Sequence, residues 1–252
     1  MRAARKPKAT SQPAWTPASV TFTARHDHRP CSPGVVTATS ACTFWVGAHC
    51  YRSPGALRTR AGLRRGETVL INGATGTTGQ VAVQIAKHLG AERVIATGRS
   101  SDALARLVEL GADATVDLTA TADAVRDALA EHFADGGVDV VLDYLSGPPT
   151  ETVLAALASS HKAAGPVRYV IAGTSAGAST SVPTSVLGST PIMLMGAGIG
   201  AVRVPDIIQA SAEALQIAGS ANVQIDVAEV PLAQVAQAWT ADHGRSRVVF
   251  TV

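Results

Sequence analysis

Glycine recurs at every third position in one short segment of the chain, and threonine fills most of the places between. The segment runs Gly73-Ala74-Thr75-Gly76-Thr77-Thr78-Gly79. Glycine permits a sharp exit from a strand at the first position, a close approach of the backbone to a pyrophosphate at the second, and close helix packing at the third. A helix that begins here offers free N–H groups to phosphates, and the three threonine hydroxyls add donors. The segment is therefore predicted to bind a dinucleotide.

The elements around this segment decide how specific the pattern is, because glycine turns alone are common. Residues 68–72 form an apolar run that predicts a buried strand, and Val81, Ile85 and Leu89 recur at the spacing of one helix face. A second strand follows about 20 residues later, as the dinucleotide-binding pattern requires. A tight turn without a ligand is the alternative.

The end of the second strand indicates which nucleotide is bound. An NAD-preferring site usually places Asp or Glu there for the ribose 2′-OH, but no acid occurs here before Asp102. The residues are Thr97-Gly98-Arg99-Ser100. The guanidinium of Arg99 suits a 2′-phosphate, with Thr97 and Ser100 as helpers. NADPH is the predicted cofactor, and an arginine on a solvated loop is the alternative.

From residue 68 onward, short β-branched runs alternate with helical patterns, which is typical of parallel strands joined by crossover helices. Strands are predicted at 68–72, 92–97, 114–117, 138–143, 167–172 and 191–195, and further helices at 122–133, 149–159, 205–218 and 231–239. The second helix is expected to bury Leu104, Leu107 and Leu110 and to end at Gly111. Together these elements predict an α/β fold with a doubly wound, six-stranded parallel sheet.

The two ends of the chain have a different character. Residues 1–54 are rich in Pro, Ser, Thr, Arg and His and are predicted to form a low-order segment, with a short helix starting near Gly55. Residues 55–222 are predicted to be the dinucleotide-binding domain. Val223–Val230 and Val248–Val252 read as strands on either side of a helix that Pro231 opens. Residues 223–252 are therefore expected to be a remnant of a second lobe.

Several sequence motifs appear in the order and spacing of a known family. They are AGLRRGETVLINGATG, Leu110-Gly111-Ala112-Asp113, VDVVLDYLSG and AWTADHGRSRVVFTV. From about Gly55 to Val252, the chain resembles the zinc-independent, quinone oxidoreductase-like branch of the medium-chain dehydrogenase/reductases. The resemblance implies an NADP-dependent oxidoreductase that works without metal.

The resemblance also implies which loops surround the ribose and the nicotinamide. They follow strands four and five and lie near strand six, and their matching residues are Asp143, Tyr144, Leu145, Ala172, Gly173, Thr174, Ser175, Gly196, Ala197 and Gly198. Ligands of open α/β sheets bind beyond the carboxyl ends of the strands, which agrees with this placement. Ordinary loop chemistry is the alternative for each single residue.

One departure from the family pattern concerns the start of the chain. Family members carry a GroES-like β-rich catalytic domain before the dinucleotide domain, and residues 1–50 lack its pattern of glycine-punctuated strands. We expect most of that domain to be missing. A truncated product, a wrong start site and a shifted upstream frame all stay open as explanations.

Two functional hypotheses follow. The first is an enzyme that transfers hydride from NADPH to a small-molecule substrate, a quinone, an enone or a small carbonyl, with no catalytic residue assigned. The second is an NADPH-binding module without turnover. An atypical short-chain dehydrogenase is a minor alternative, since Tyr144 and Tyr169 lack the lysine four positions later that the catalytic tyrosine of that class requires.

Composition excludes several other classes. No stretch approaches the about 20 apolar residues of a membrane span, and the basic start has no apolar region of a secretory signal. The basic N-terminal tract is interpreted as a solvated tail and not a nucleic-acid site. The sequence has three cysteines, all in its first 50 residues, and we therefore expect no disulfide framework. A protein without disulfides is expected in the cytoplasm. Because relatives in this family pair through an edge strand of the sheet, the resemblance implies a homodimer through the apolar segment PIMLMGAGI. A buried sixth strand is the alternative, and the two are compatible.

Histidines and cysteines that could bind zinc lie near the start of the chain. They are His26, His28, Cys31, Cys42, His49 and Cys50. Because they contain no CxxC pair, their spacing argues against a zinc site. No metal is predicted.

Overall fold

A six-stranded parallel sheet forms the centre of the computed structural model, which describes residues 53–135, 137–160, 165–198, 201, 204–220, 223–244 and 246–251. Its strands are β1 (Thr68–Asn72), β2 (Arg93–Gly98), β3 (Ala114–Asp117), β4 (Val140–Asp143), β5 (Val167–Ile171) and β6 (Ile192–Gly196). They lie in the order β3-β2-β1-β4-β5-β6, and each neighbouring pair is parallel. The predicted doubly wound fold is confirmed.

Helices cover both faces of this sheet. They are α1 (Thr77–His88), α2 (Ser101–Glu109), α3 (Ala122–Ala134), α4 (Pro148–Ser160), α5 (Thr184–Ser189) and α6 (Val204–Ser220), and a short π-helical segment, Gly55–Arg60, precedes β1. Successive side chains of a strand point to opposite faces. Accordingly, Val69 and Ile71 pack in one apolar cluster with α1, whereas Leu70 packs in another with α3 and α4.

The second crossover shows how the sequence sets a helix and its end. Leu104, Leu107 and Leu110 are buried, as the sequence predicts. Gly111 has φ +108°, and the next N–H, of Ala112, donates to the carbonyl of Leu107 at 2.9 Å. Glycine adopts this conformation without steric cost, which is why the helix stops there and β3 can start three residues later.

The last part of the chain forms a separate two-stranded parallel sheet. It consists of β7 (Val227–Pro231) and β8 (Arg247–Thr251), and between them lie a 3-10 turn, Leu232–Gln234, and the short helix α7 (Val235–Ala238). The two strands and the helix are confirmed as elements, but β7 starts four residues later than the predicted span 223–230, and the helix is shorter than the predicted span 231–239. Most helices in proteins are stabilised by the packing of an apolar face. Because Leu232, Val235 and Trp239 are exposed, little packing of this kind is available to lengthen the helix.

Candidate nucleotide-binding cleft

A cleft of about 460 Å³ lies beyond the carboxyl ends of β1, β4 and β5. The strand order reverses between β1 and β4, the place where open α/β sheets bind ligands. The cleft is lined by Gly73, Gly76, Thr77, Thr78, Gly79, Tyr144, Gly173, Thr174, Ser175 and Arg247. Nine of these ten residues are sequence-predicted site residues, and Arg247 is the tenth.

The three glycines of the turn have different surroundings. Gly73 has φ +83°, and a Cβ there would lie 2.6 Å from the Leu145 side chain. A Cβ on Gly79 would overlap the backbone of Ala74, so only glycine lets the helix start this close to the turn. A Cβ on Gly76 would meet nothing within 4 Å. The backbone at Gly76 therefore lies open to the cleft.

The start of α1 supplies hydrogen-bond donors to the same cleft. The helix begins at Thr77 after the extended residue Gly76, and Gln80 N–H makes the first intrahelical bond, to Gly76 O at 2.9 Å. The N–H groups of a first helical turn have no intrahelical acceptors. With the partial positive charge of the helix end, they suit an anionic ligand.

The end of β2 lies beside the turn but outside the cleft lining. Gly98 touches Thr75, since a Cβ on Gly98 would overlap the Thr75 methyl group. Arg99 is exposed, and Ser100 is half-buried at the start of α2. Thr97 is fully buried, and its hydroxyl accepts from Gly73 N–H at 3.0 Å.

Asp143, at the end of β4, is also fully buried and does not line the cleft. Its Oδ2 accepts from the hydroxyls of Tyr169 and Thr150 and from the Asn72 amide, and its Oδ1 accepts from two backbone N–H groups, those of Leu145 and Ser146. Burial and the neighbouring Asp143 carboxylate raise the pKa of Tyr169 well above its usual value, so its phenol is a protonated donor at neutral pH. The local sequence contains no signal for this network.

The loops after β4 and β5 pack on each other to form one wall. Ser175 donates its hydroxyl proton to Tyr144 O at 2.8 Å, and a Cβ on Gly173 would overlap the same carbonyl. The Tyr144 hydroxyl lies 2.9 Å from Ser53 Oγ, which donates to Thr78 O at 3.2 Å. Ser53 thus connects this wall to the first turn of α1.

Gly196 and Gly198 are exposed at and just beyond the end of β6 and do not line the cleft. Arg60 donates to the carbonyl of Gly196 at 2.8 Å. Neither Ala74 nor Thr75 is part of the lining, although both belong to the turn. The structure therefore brings only part of the sequence-predicted set together around one volume.

Arg247, the cleft residue that sequence reasoning missed, is the first residue of β8. Burial lowers the pKa of its guanidinium, but from so high a starting value that arginine stays charged at neutral pH. The motif that ends the chain contained Arg247, but nothing in its spacing pointed to the glycine-rich turn. Its place in the cleft follows from tertiary structure alone.

Within the described ranges, no group of three or more His, Cys, Asp or Glu could hold a metal ion. The Cys/His cluster near the start of the chain lies outside those ranges. No helix in the described part of the chain has the length and apolarity needed to cross a membrane.

The fold and the cleft define a dinucleotide-binding domain of the dehydrogenase type. The profile of the family described as zinc-binding dehydrogenase matches residues 77–216, more than half of the chain, and the chain belongs to this family of medium-chain dehydrogenase/reductases. Within the family it is a member of the zinc-independent, quinone oxidoreductase-like branch.

Two curated proteins and one solved structure match this chain over most of its length. The probable NADPH-dependent quinone reductase tdiC of Emericella nidulans is 31% identical over 77% of this chain and 57% of its own length. Quinone oxidoreductase-like protein 2 of Bos taurus is 30% identical over 69% of this chain and 49% of its own. The crystal structure of AibC superposes with a TM-score of 0.63 at 28% identity, over 85% of this chain and 59% of that one. The chain thus spans about half the length of the curated relatives.

Proposed function

We propose that this protein is an NADPH-dependent oxidoreductase that reduces a quinone, an enone or a small carbonyl compound without a metal. The observation that carries the proposal is the cleft itself, which the open backbone at Gly76, the first turn of α1 and Arg247 all line. The names of the two curated relatives, a quinone reductase and a quinone oxidoreductase-like protein, support the same reaction class.

The residues present fit a dinucleotide. The pyrophosphate would bind the N–H groups at the start of α1, with Arg247 balancing its charge. The adenosine ribose would extend toward the end of β2, where Arg99 would bind the 2′-phosphate and Ser100 would assist. The nicotinamide half would lie along the wall formed by Tyr144 and the loop Gly173–Ser175.

NADPH would supply the hydride when bound, and the protein would hold the cofactor and the substrate in the orientation that the transfer needs. The packed loops after β4 and β5 fix the wall of the cleft, so Tyr144 and the loop 173–175 would hold a bound nicotinamide in place. Reduction also needs one proton for the substrate, and solvent can deliver it through the cleft. We assign no catalytic side chain.

A second candidate function is an NADPH-binding module without turnover. The observation that favours it is that the described residues form a nucleotide cleft in which no side chain is assigned a catalytic role. The cleft and its ligand would be the same in both cases. Only a turnover measurement with a substrate distinguishes the enzyme from the binding module.

A turnover assay on the full chain distinguishes the two functions. NADPH oxidation is followed by absorbance with 9,10-phenanthrenequinone and with simple enones. Gly188→Ala, a glycine of α5 with open space around it, serves as the matched control for Gly76→Ala in the cleft. Quinone-dependent oxidation that Gly76→Ala lowers and Gly188→Ala leaves unchanged supports the enzyme. Saturable NADPH binding without oxidation of NADPH would support the binding module instead.

A further inference from the structure

Thr97 and Asp143 are candidate cofactor contacts by sequence, yet the structure buries both completely and leaves them outside the cleft lining. They lie at the carboxyl ends of β2 and β4, with Asn72 of β1 between them. Buried polar groups of this kind are hydrogen-bonded, and their partners show what they hold in place.

A continuous chain of hydrogen bonds joins the two residues. Gly73 N–H donates to Thr97 Oγ1 at 3.0 Å, and the Thr97 hydroxyl donates to Asn72 Oδ1 at 2.7 Å. The Asn72 amide then donates to Asp143 Oδ2 at 3.1 Å. The chain of bonds therefore crosses three adjacent strands and ends on the first glycine of the turn.

The direction of each bond follows from the chemistry of the groups. The Asp143 carboxylate only accepts, so Asn72 must turn its NH₂ toward it and its oxygen toward Thr97. The single Thr97 proton is then donated to Asn72, and a lone pair accepts the Gly73 N–H. The hydroxyl proton of Thr97 is thereby committed to the interior and not to a bound 2′-phosphate.

We propose that Thr97 and Asp143 are positioning residues that fix the glycine-rich turn through Asn72. This inference rests on the proposed function and assigns the two residues a different role from Arg99. Gly73 opens the turn that carries Gly76 and the start of α1. That region would bind the pyrophosphate, which NADPH and NADH share. Thr97 therefore sets the affinity for both nucleotides, whereas Arg99 sets the difference between them.

The binding test compares Thr97→Val, which removes the hydroxyl at constant shape, with Thr97→Ser, which keeps it. Dissociation constants for NADPH and NADH are measured on the full chain. Thr97→Val is expected to weaken both nucleotides by the same factor, about five- to tenfold, and Thr97→Ser is expected to restore binding. Thr190→Val, at a buried threonine at the end of α5, is the control. Selective loss of NADPH would overturn the positioning role, and so would unchanged affinity for both.

A ligand-free measurement tests the same role separately from nucleotide binding. Hydrogen exchange of the Gly73 amide, measured by NMR, is expected to be about tenfold faster in Thr97→Val than in the wild type or Thr97→Ser. Thr97→Ala removes the same hydroxyl and replaces Thr97→Val if that variant does not fold. Equal exchange in all variants would overturn the inference, whereas a wild type that binds neither nucleotide would overturn the proposed function.

Discussion

Gly76 and Gly79 lie three residues apart in the glycine-rich turn, but only one of them has room for a side chain. Gly79→Ala would force a Cβ into the Ala74 backbone, so we expect it to lower the free energy of unfolding by about 1–3 kcal/mol. Gly76→Ala meets open space and should leave stability unchanged while its methyl group blocks the approach of a pyrophosphate. Thermal unfolding and NADPH titration of both variants measure these two effects. A stable Gly76→Ala protein that binds NADPH like the wild type would contradict the assignment of the cleft.

Arg99 is the residue on which the choice between NADPH and NADH depends in our account. Arg99→Ala is expected to weaken NADPH binding by about 1.5–3 kcal/mol, the contribution of a charged hydrogen bond, and to leave NADH binding nearly unchanged. Calorimetric titration of both nucleotides measures the difference. Arg126→Ala, which removes a partly exposed arginine of α3, is the control. Equal weakening of both nucleotides by Arg99→Ala would refute the 2′-phosphate role.

Local sequence predicted the glycine-rich turn because each of its requirements involves neighbouring residues. The contacts of Thr97 and Asp143 were not predictable in this way, since their partners Gly73 and Asn72 are 24 and 71 residues away along the chain. Arg247 was missed for the same reason. Residue types predicted which groups could bind a ligand, but only the fold showed which of them line the cleft.

At the scale of elements, His132 on α3 links stability to pH. The Arg93 guanidinium can only donate, so it donates to His132 Nδ1 at 2.9 Å, and the neutral ring carries its proton on Nε2. Burial and the charge of Arg93 lower the pKa of His132 below its usual value. The folded state thus binds this proton less readily than the unfolded state does. The contribution of neutral His132 to the free energy of unfolding is present above about pH 6.5 and is lost as pH falls.

We therefore expect His132→Asn to flatten the decline of Tm between about pH 7.5 and 5.5, because asparagine can still accept from Arg93 but does not titrate. Thermal unfolding by circular dichroism over this range measures the slope. His88→Asn at the end of α1 is the matched control. Identical slopes for the wild type and His132→Asn would contradict the account.

The six strands of the large sheet were predictable to within two residues because buried parallel strands are short β-branched runs flanked by turn residues. The start of β7 was predicted four residues too early. Helix α5 was missed, since it is a six-residue helix in a stretch rich in Ser, Thr and Pro. The C-terminal helix was predicted too long because its apolar stripe has the helical period, yet Leu232 and Trp239 stay exposed in the described structure. A helical period of apolar residues shows that the helix has an apolar face, but it does not show which part of the protein packs against that face.

At the scale of the whole molecule, β6 is an edge strand of the six-stranded sheet. Met193 and Leu194 are exposed, so the alternative of a fully buried sixth strand is wrong. Self-association through this edge stays a prediction. We expect Met193→Glu to shift a dimer toward the monomer in sedimentation velocity, because a charge at an apolar edge opposes pairing. Val108→Glu, at an exposed position of α2, is the control. A wild type that sediments as a monomer would contradict the prediction.

The central claim is that the cleft beyond β1, β4 and β5 binds NADPH. Calorimetric titration of the wild-type chain with NADPH, and then with NADH, tests it most directly. We expect saturable binding of NADPH and weaker binding of NADH, because both share the pyrophosphate site and only NADPH carries the 2′-phosphate that Arg99 would bind. Failure of the chain to bind either nucleotide would contradict the account.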